Sequence, residues 1–249
     1  MSATRRVFLR MAGASALAAA AGCGREAEVS RPRVRLAMVL DAARCAGKDG
    51  CRSCVDACHR AHNVPAIGNP RHEVKWVWKE RVERLFPDEA SVTLPVAWKG
   101  RRVLALCNHC DNPPCVRVCP AGATWRREDG LVTIDQHRCI GCRYCVAACP
   151  YGSRSFNWTD PRAHLSGIDP GFPTRTKGVV EKCNFCEERL GRGEQPACVE
   201  ACPERALAFG AVDDGGGEVR RLLDARVALR RKPELGTRPQ VYYLVETRG

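Results

Sequence analysis

Short apolar runs recur along this chain, and several stop just before a cysteine. Arg35 to Asp41 (RLAMVLD) runs into Cys45, Val103 to Leu106 (VLAL) into Cys107, and Leu131 to Asp135 (LVTID) into Cys139. Runs this short, rich in β-branched residues, predict strands, because a helix needs ten or more periodic positions. In the first and third cases an Asp and three further residues precede the cysteine, which marks a pseudo-repeat. Ala206 to Val212 (ALAFGAV) reads as a return strand after Cys202, and Gln240 to Thr247 (QVYYLVET) as a closing strand. Val74 to Lys79 (VKWVWK) alternates apolar and polar positions, which predicts a strand with Trp76 and Trp78 on one face; core packing is their simplest role. Glu218 to Lys232 holds a helical pattern that ends in Arg230, Arg231 and Lys232, with a solvated face as its default role and partner or lipid docking as the alternative. Asp160 to Lys177 is rich in Pro and Gly and predicts a long loop, which could cover a site or meet a partner.

Cysteine content changes the picture most. The chain has 17 cysteines. Sixteen fall into four groups of four: Cys45/Cys51/Cys54/Cys58, Cys107/Cys110/Cys115/Cys119, Cys139/Cys142/Cys145/Cys149 and Cys183/Cys186/Cys198/Cys202. The third group has the C-x2-C-x2-C-x3-C-P spacing of a bacterial ferredoxin. Each iron of a [4Fe–4S] cube takes one thiolate, so four groups predict four [4Fe–4S] clusters. Pro120, Pro150 and Pro203 follow the last cysteine of their groups and turn the chain there; group one has His59 instead. The groups also differ internally. Group one has a C-x5-C opening, group two carries Pro113 and Pro114 in a C-x4-C, and group four has an insertion from Glu187 to Ala197.

In two-cluster ferredoxins the fourth cysteine of one run ligates the other cube. Extended here, that rule predicts four ligand sets. Cys45, Cys51 and Cys54 join Cys202, and Cys183, Cys186 and Cys198 join Cys58. Cys107, Cys110 and Cys115 join Cys149, and Cys139, Cys142 and Cys145 join Cys119. The helical segments Cys54 to Cys58 and Cys145 to Cys149 should each be about one turn. Gly141, Gly152, Asn108 and Asn184 are candidates for shaping the ligand loops. His59, His62, His109 and His137 read as supporting or surface residues rather than ligands, because the cysteines already suffice. Structural zinc and disulfides remain the alternative uses of these cysteines, and zinc would make the chain a stapled interaction protein without redox activity. Covalent haem is not encoded, since no C-x-x-C-H occurs.

The fold class that follows is α+β, double ferredoxin-like: two 2x[4Fe-4S] units with long connecting loops. One unit would use residues 31–66 with 177–249, the other residues 67–176, behind a signal and linker at 1–30. Thr4-Arg5-Arg6-Val7-Phe8-Leu9-Arg10 followed by an apolar run from Met11 to Gly22 reads as an export signal too short to span a bilayer. Its twin arginine resembles the signal of the route that carries folded proteins, which suits a protein whose clusters are inserted first. Cys23 is the odd cysteine and a candidate for lipidation at the mature amino terminus.

The formal charge of +12 shrinks once clusters are counted. Export removes about 3 arginine charges, sixteen thiolates add about −16, and four cores return about +8, leaving about +1. Nucleic-acid binding is therefore not expected, nor is a catalytic residue or a small-molecule substrate.

From about Arg35 onwards the chain resembles the exported four-cluster subunits of membrane-bound respiratory complexes. Among them, it is similar to the iron–sulfur subunit of the complex associated with dissimilatory sulfite reductase. The segments that carry this are Cys51 to Pro65, Leu106 to Pro120, His137 to Asn157, Phe172 to Cys186, Pro196 to Cys202 and Lys232 to Leu244. The resemblance implies a periplasmic electron-transfer subunit, not an enzyme in itself. Its implied partners are a multihaem cytochrome c and a quinone-reactive integral membrane subunit. Subunits of molybdopterin-dependent reductases, including those for polysulfide and tetrathionate, and of nitrite reductase systems share much of the same wording.

Overall fold

The computed structural model describes residues 34–48, 50–87 and 98–245. The export signal and Cys23 lie outside them. The described residues form one compact unit. Among them, ten short strands make up the sheets: β1 (Leu36–Asp41), β2 (Val77–Arg81), β3 (Arg102–Leu106), β4 (Thr124–Arg126), β5 (Val132–Ile134), β6 (Ser155–Phe156), β7 (Val180–Glu181), β8 (Leu207–Ala211), β9 (Ala228–Leu229) and β10 (Val241–Leu244). The architecture is mixed α and β with small sheets, one of four strands in the order β8-β1-β10-β9 and three of two strands, β2-β3, β4-β5 and β6-β7.

β1 is central because both of its faces are apolar. Met38 and Leu40 enter the main core with Tyr243 and Phe209. Ala37 and Val39 face the other way, against Val219, Leu222 and Leu223 of the helix Glu218–Ala225. β1 pairs in parallel with β10 and antiparallel with β8, so both termini of the described chain meet on one sheet. Asp41 closes β1 and caps the helix Ala42–Gly47, accepting from Arg44 N at 3.0 Å. That cap fixes the start of the helix that carries Cys45. Tyr243 then donates to the Leu104 carbonyl at 3.2 Å, fastening this sheet to β3 and the Cys107 loop.

Two sequence expectations are corrected. The helix from Glu218 stops at Ala225, and Arg226 is extended. Arg226 pairs with Asp41, and Ala228–Leu229 joins β10 as an edge strand, so strand pairing overrides local helix propensity. Arg230, Arg231 and Lys232 are thus not a solvated helix end. Arg231 is buried over the Tyr151 ring and Lys232 Nζ donates to the Pro150 carbonyl at 3.0 Å. The second correction concerns Val74 to Lys79, where pairing begins only at Val77. Lys75 N donates instead to Ser155 Oγ at 2.7 Å, and Trp76 Nε1 to Glu181 at 2.9 Å. Trp76 is buried and Trp78 only half-buried.

The long loop from Asp160 is tied down at its far end. Arg175 and Glu181 form a buried ion pair at 2.6 Å. Arg175 also donates to the carbonyls of His62 and Asn63, and Asn157 donates to Glu181. Such a network satisfies both charges and clamps the loop against the end of the helix Ser53–Ala61. Among the described residues, no helix is long and apolar enough to cross a membrane.

Candidate metal centres

The sixteen grouped cysteines are all free thiols in positions that interleave the groups. Cys45, Cys51, Cys54 and Cys202 line one cavity. Cys107, Cys110, Cys115 and Cys149 line a second, and Cys119, Cys139, Cys142 and Cys145 a third. Each cavity takes three cysteines from one group and one from the partner group. Cys58, Cys183, Cys186 and Cys198 are all buried, and each of the last three disfavours ionisation of Cys58 by its own charge. The four sets lie in sequence. Cys198 feels Cys54, which joins the first set to the buried one, and Cys183 feels Cys107, which joins the buried set to the second. Arg154 touches the second set and feels Cys145 of the third.

The ligand loops share a backbone device. The residue before the second cysteine of each C-x2-C at Cys107, Cys139 and Cys183 is left-handed: His109 at φ 40°, Gly141 at 71° and Phe185 at 59°. Left-handed non-glycine residues cost energy and gather where a site demands them. This turn curls the chain around a point between the two sulfurs. His109 and Phe185, equivalent in their loops, stack with centroids 3.8 Å apart between the second set and the buried one. Val132 N donates to His109 Nδ1 at 3.0 Å, so Nε2 carries the hydrogen and donates to the Cys183 carbonyl at 3.1 Å. Burial holds the ring well below the usual imidazole range, and it stays neutral.

At Gly141 a side chain is excluded twice, by the positive φ and by space. A Cβ there would press into the Gly178 carbonyl oxygen and come within 3.2 Å of Phe156 Cε2. Gly141→Ala is expected to cost about 2–4 kcal/mol. It should appear as a lower denaturant midpoint with metal lost first from the Cys139 loop; an unchanged midpoint would contradict the close approach.

Cations accompany the thiols, Arg154, Lys182 and His62 buried and Lys79 half-buried. Lys79 Nζ lies 3.0 Å from Cys45 Sγ, Arg154 Nη2 donates to Cys115 Sγ at 3.2 Å, and Lys182 Nζ donates to the carbonyls of Val132 and Cys183. His62 is a fourth. Its Nδ1 faces the Cys58 carbonyl at 2.8 Å and Nε2 faces Glu188 at 2.9 Å, so both nitrogens donate. Burial opposes that charge, but contacts with Cys186 and Glu188 outweigh it and raise the ring to about 9. His62, Cys186 and Glu188 have ligand atoms within 4.8 Å of one another. With both ring nitrogens donating, His62 supports Cys186 rather than sharing a metal with it.

The donor set fits iron–sulfur clusters. Burial pushes the Cys54 thiol up to about 11 and those of Cys58 and Cys198 well above normal, so these sulfurs ionise only with a compensating metal. The second cavity also has orphaned polar atoms on its lining residues: Asn108 Nδ2 and Oδ1 and Arg154 Nη1 are buried without a partner. Cluster sulfurs would give the donors theirs. Sequence reading left out Arg154, Lys182, Lys79 and Glu188, because lone charged residues carry no spacing signal.

Comparison with known proteins gives the same chemistry. Residues 102–164 and 171–212 match the family model of the 4Fe-4S dicluster domain. The chain is 39% identical to the Hdr-like menaquinol oxidoreductase iron-sulfur subunit 1 of Archaeoglobus fulgidus, over 96% of this chain and 97% of that protein. It is 37% identical to Protein NrfC of Escherichia coli, over 97% and 95%. It is 41% identical to a tetrathionate reductase subunit of Salmonella typhimurium, over 86% and 73%.

Proposed function

The chain belongs to the family of iron–sulfur electron-transfer subunits of membrane respiratory oxidoreductases, and on that premise we propose that it holds four [4Fe–4S] clusters as a periplasmic relay in a complex of sulfur metabolism. The observation that carries the cluster count is the three-plus-one lining of three cavities, with a fourth buried thiol set beside them. Bound in those sites, the clusters would supply one-electron transfer.

The chain's own residues would do the rest. The four cysteine sets would ligate, in the pairings given by the ferredoxin rule, as two interlocked units of an α+β double ferredoxin-like fold. Their order from Cys45 through Cys183 and Cys107 to Cys139 gives the path two ends. Cys51 and Cys202 at one end and Cys119, Cys139 and Cys142 at the other are partly exposed, as is Cys149 of the second set, while Cys58, Cys183, Cys186 and Cys198 are all buried. Partners would be met at the ends, and the Cys183 set kept dry.

The partners we propose are a multihaem cytochrome c and a quinone-reactive integral membrane subunit, as in the complex associated with dissimilatory sulfite reductase. The relative named a menaquinol oxidoreductase subunit favours the quinone side of this reading. The twin-arginine pattern supports export of the folded protein, with Cys23 as an optional lipid anchor. A second reading, a subunit serving a molybdopterin-dependent reductase, is favoured by the identity to the tetrathionate reductase subunit. Affinity purification from gently solubilised membranes separates the two. Co-purification of a multihaem cytochrome with a quinone-reactive subunit is expected; a large molybdopterin subunit in their place would move the chain to the second reading.

A further inference from the structure

Arg154 is 4% exposed, and among the described residues no carboxylate forms an ion pair with it. A buried guanidinium without a counter-charge costs several kcal/mol, so a compensating anion is required close by. Among the described residues, Nη2 donates to Cys115 Sγ at 3.2 Å and to Thr124 Oγ1 at 2.8 Å, and the guanidinium also interacts with Cys145 of the third set. Nη1 is buried and has no partner. Arg154 lines the Cys107/Cys110/Cys115/Cys149 cavity, and Thr124 lines the neighbouring Cys119/Cys139/Cys142/Cys145 cavity. The side chain therefore stands between two thiol sets, with one donor arm spent on a cysteine and the other free.

We propose that Arg154 is the shared counter-ion of these two sites, and that Nη1 donates a hydrogen bond to a cluster sulfur held by the Cys107 set. The inference rests on the reading that both cavities hold [4Fe–4S] clusters. An oxidised core with four thiolates carries about −2, and reduction adds one more negative charge. A fixed cation and a charge-assisted hydrogen bond favour the reduced form, so Arg154 raises the reduction potentials of both sites. Arg154 is a positioning and tuning residue; it takes no electron itself. Lys79 and His62 lie nearest the other sets and Lys182 sits at the junction of the Cys107 and Cys183 sets, so only Arg154 stands between the Cys107 and Cys139 sets and its effect should be local to them.

The test is a redox titration of the holoprotein followed by electron paramagnetic resonance, comparing wild type with Arg154→Gln. Two of the four midpoints should fall, with a change of about tenfold in the reduction equilibrium, or ~59 mV for one electron. The two belonging to the Cys45 and Cys183 sets should stay within a small fraction of that. Unchanged midpoints with full iron content, or an equal fall at all four, would overturn the proposal. Should Arg154→Gln fail to assemble, the wild-type protein labelled with nitrogen-15 only in its arginine guanidinium groups gives a second readout. Pulsed resonance should detect coupling of that nitrogen to a reduced cluster; its absence would overturn the hydrogen bond. A wild-type protein with no cluster signals at all would instead defeat the parent reading.

Discussion

Stripping the iron from the purified protein by anaerobic oxidation and chelation is expected to unfold it, not to leave a native shell. The main core includes Cys45, Cys54, Cys58, Cys107, Cys183 and Cys198 among its buried members, so the ligand sets are packed into it. Emptied of their clusters, these sites would leave unfilled space among buried thiols, and a whole domain is stable by only ~5–15 kcal/mol. Collapse or flooding would relieve the void, but either breaks the packing around it. The cations make matters worse: Arg154 and Lys182 would be left buried with neutral thiols. Little regular structure is available to compensate. β6 and β7 have two residues each, β4 and β5 three, and several helices next to ligands are single turns. The readouts are loss of near-ultraviolet circular dichroism and a red shift of tryptophan emission, because Trp76 is buried. A cooperative thermal transition near that of the iron-loaded protein would refute this account. Loss of brown colour on chelation also separates clusters from zinc, which leaves thiolate sites colourless.

Much of this was legible in the sequence because the signals were local. The strands before Cys45, Cys107 and Cys139 are apolar runs with a fixed stop, and a buried strand has few other ways to be written. The cysteine spacings were equally local, since a loop that wraps a small group must place its sulfurs a few residues apart. What stayed hidden depends on distant partners. Arg175 and Glu181 look like ordinary surface charges until the chain folds them together with Trp76 and Asn157. The stack of His109 on Phe185 joins loops 76 positions apart in number (185 − 109), and neither residue type announces it. Arg231 read as one of three solvated cations, yet the chain's return along β9 and β10 buries it against Tyr151. The helix that should have carried it ends early for the same reason: a strand partner was available, and nothing within Glu218 to Lys232 indicates that partner.

Exchange of the fourth ligand makes an equally sharp prediction. Cys149 stands at the end of the helix Tyr144–Ala148, four residues after Cys145, yet the two sulfurs line different cavities. One helical turn carries the chain from one site to the next. Cys149→Ser should therefore remove the resonance signal that Cys107→Ser removes, and spare the signal that Cys139→Ser removes. Cys119→Ser should do the reverse, because Cys119 lines the cavity of Cys139. Each variant should lose roughly a quarter of the iron if a whole cube departs, or a single iron if a three-iron cluster survives. The comparison needs no prior assignment of any signal, since the variants are matched only with each other. If Cys149→Ser instead loses the signal lost by Cys139→Ser, each run would ligate its own cube. The interleaving of the thiols would then be a matter of packing alone. Serine is the right replacement because it keeps the size and a polar atom at the same place, so the loss reports on the thiolate rather than on a cavity. The order of the relay rests on the same exchange. Neighbouring sites share one chain segment only if the fourth sulfur crosses over, and that sharing holds the sites close enough for an electron to pass.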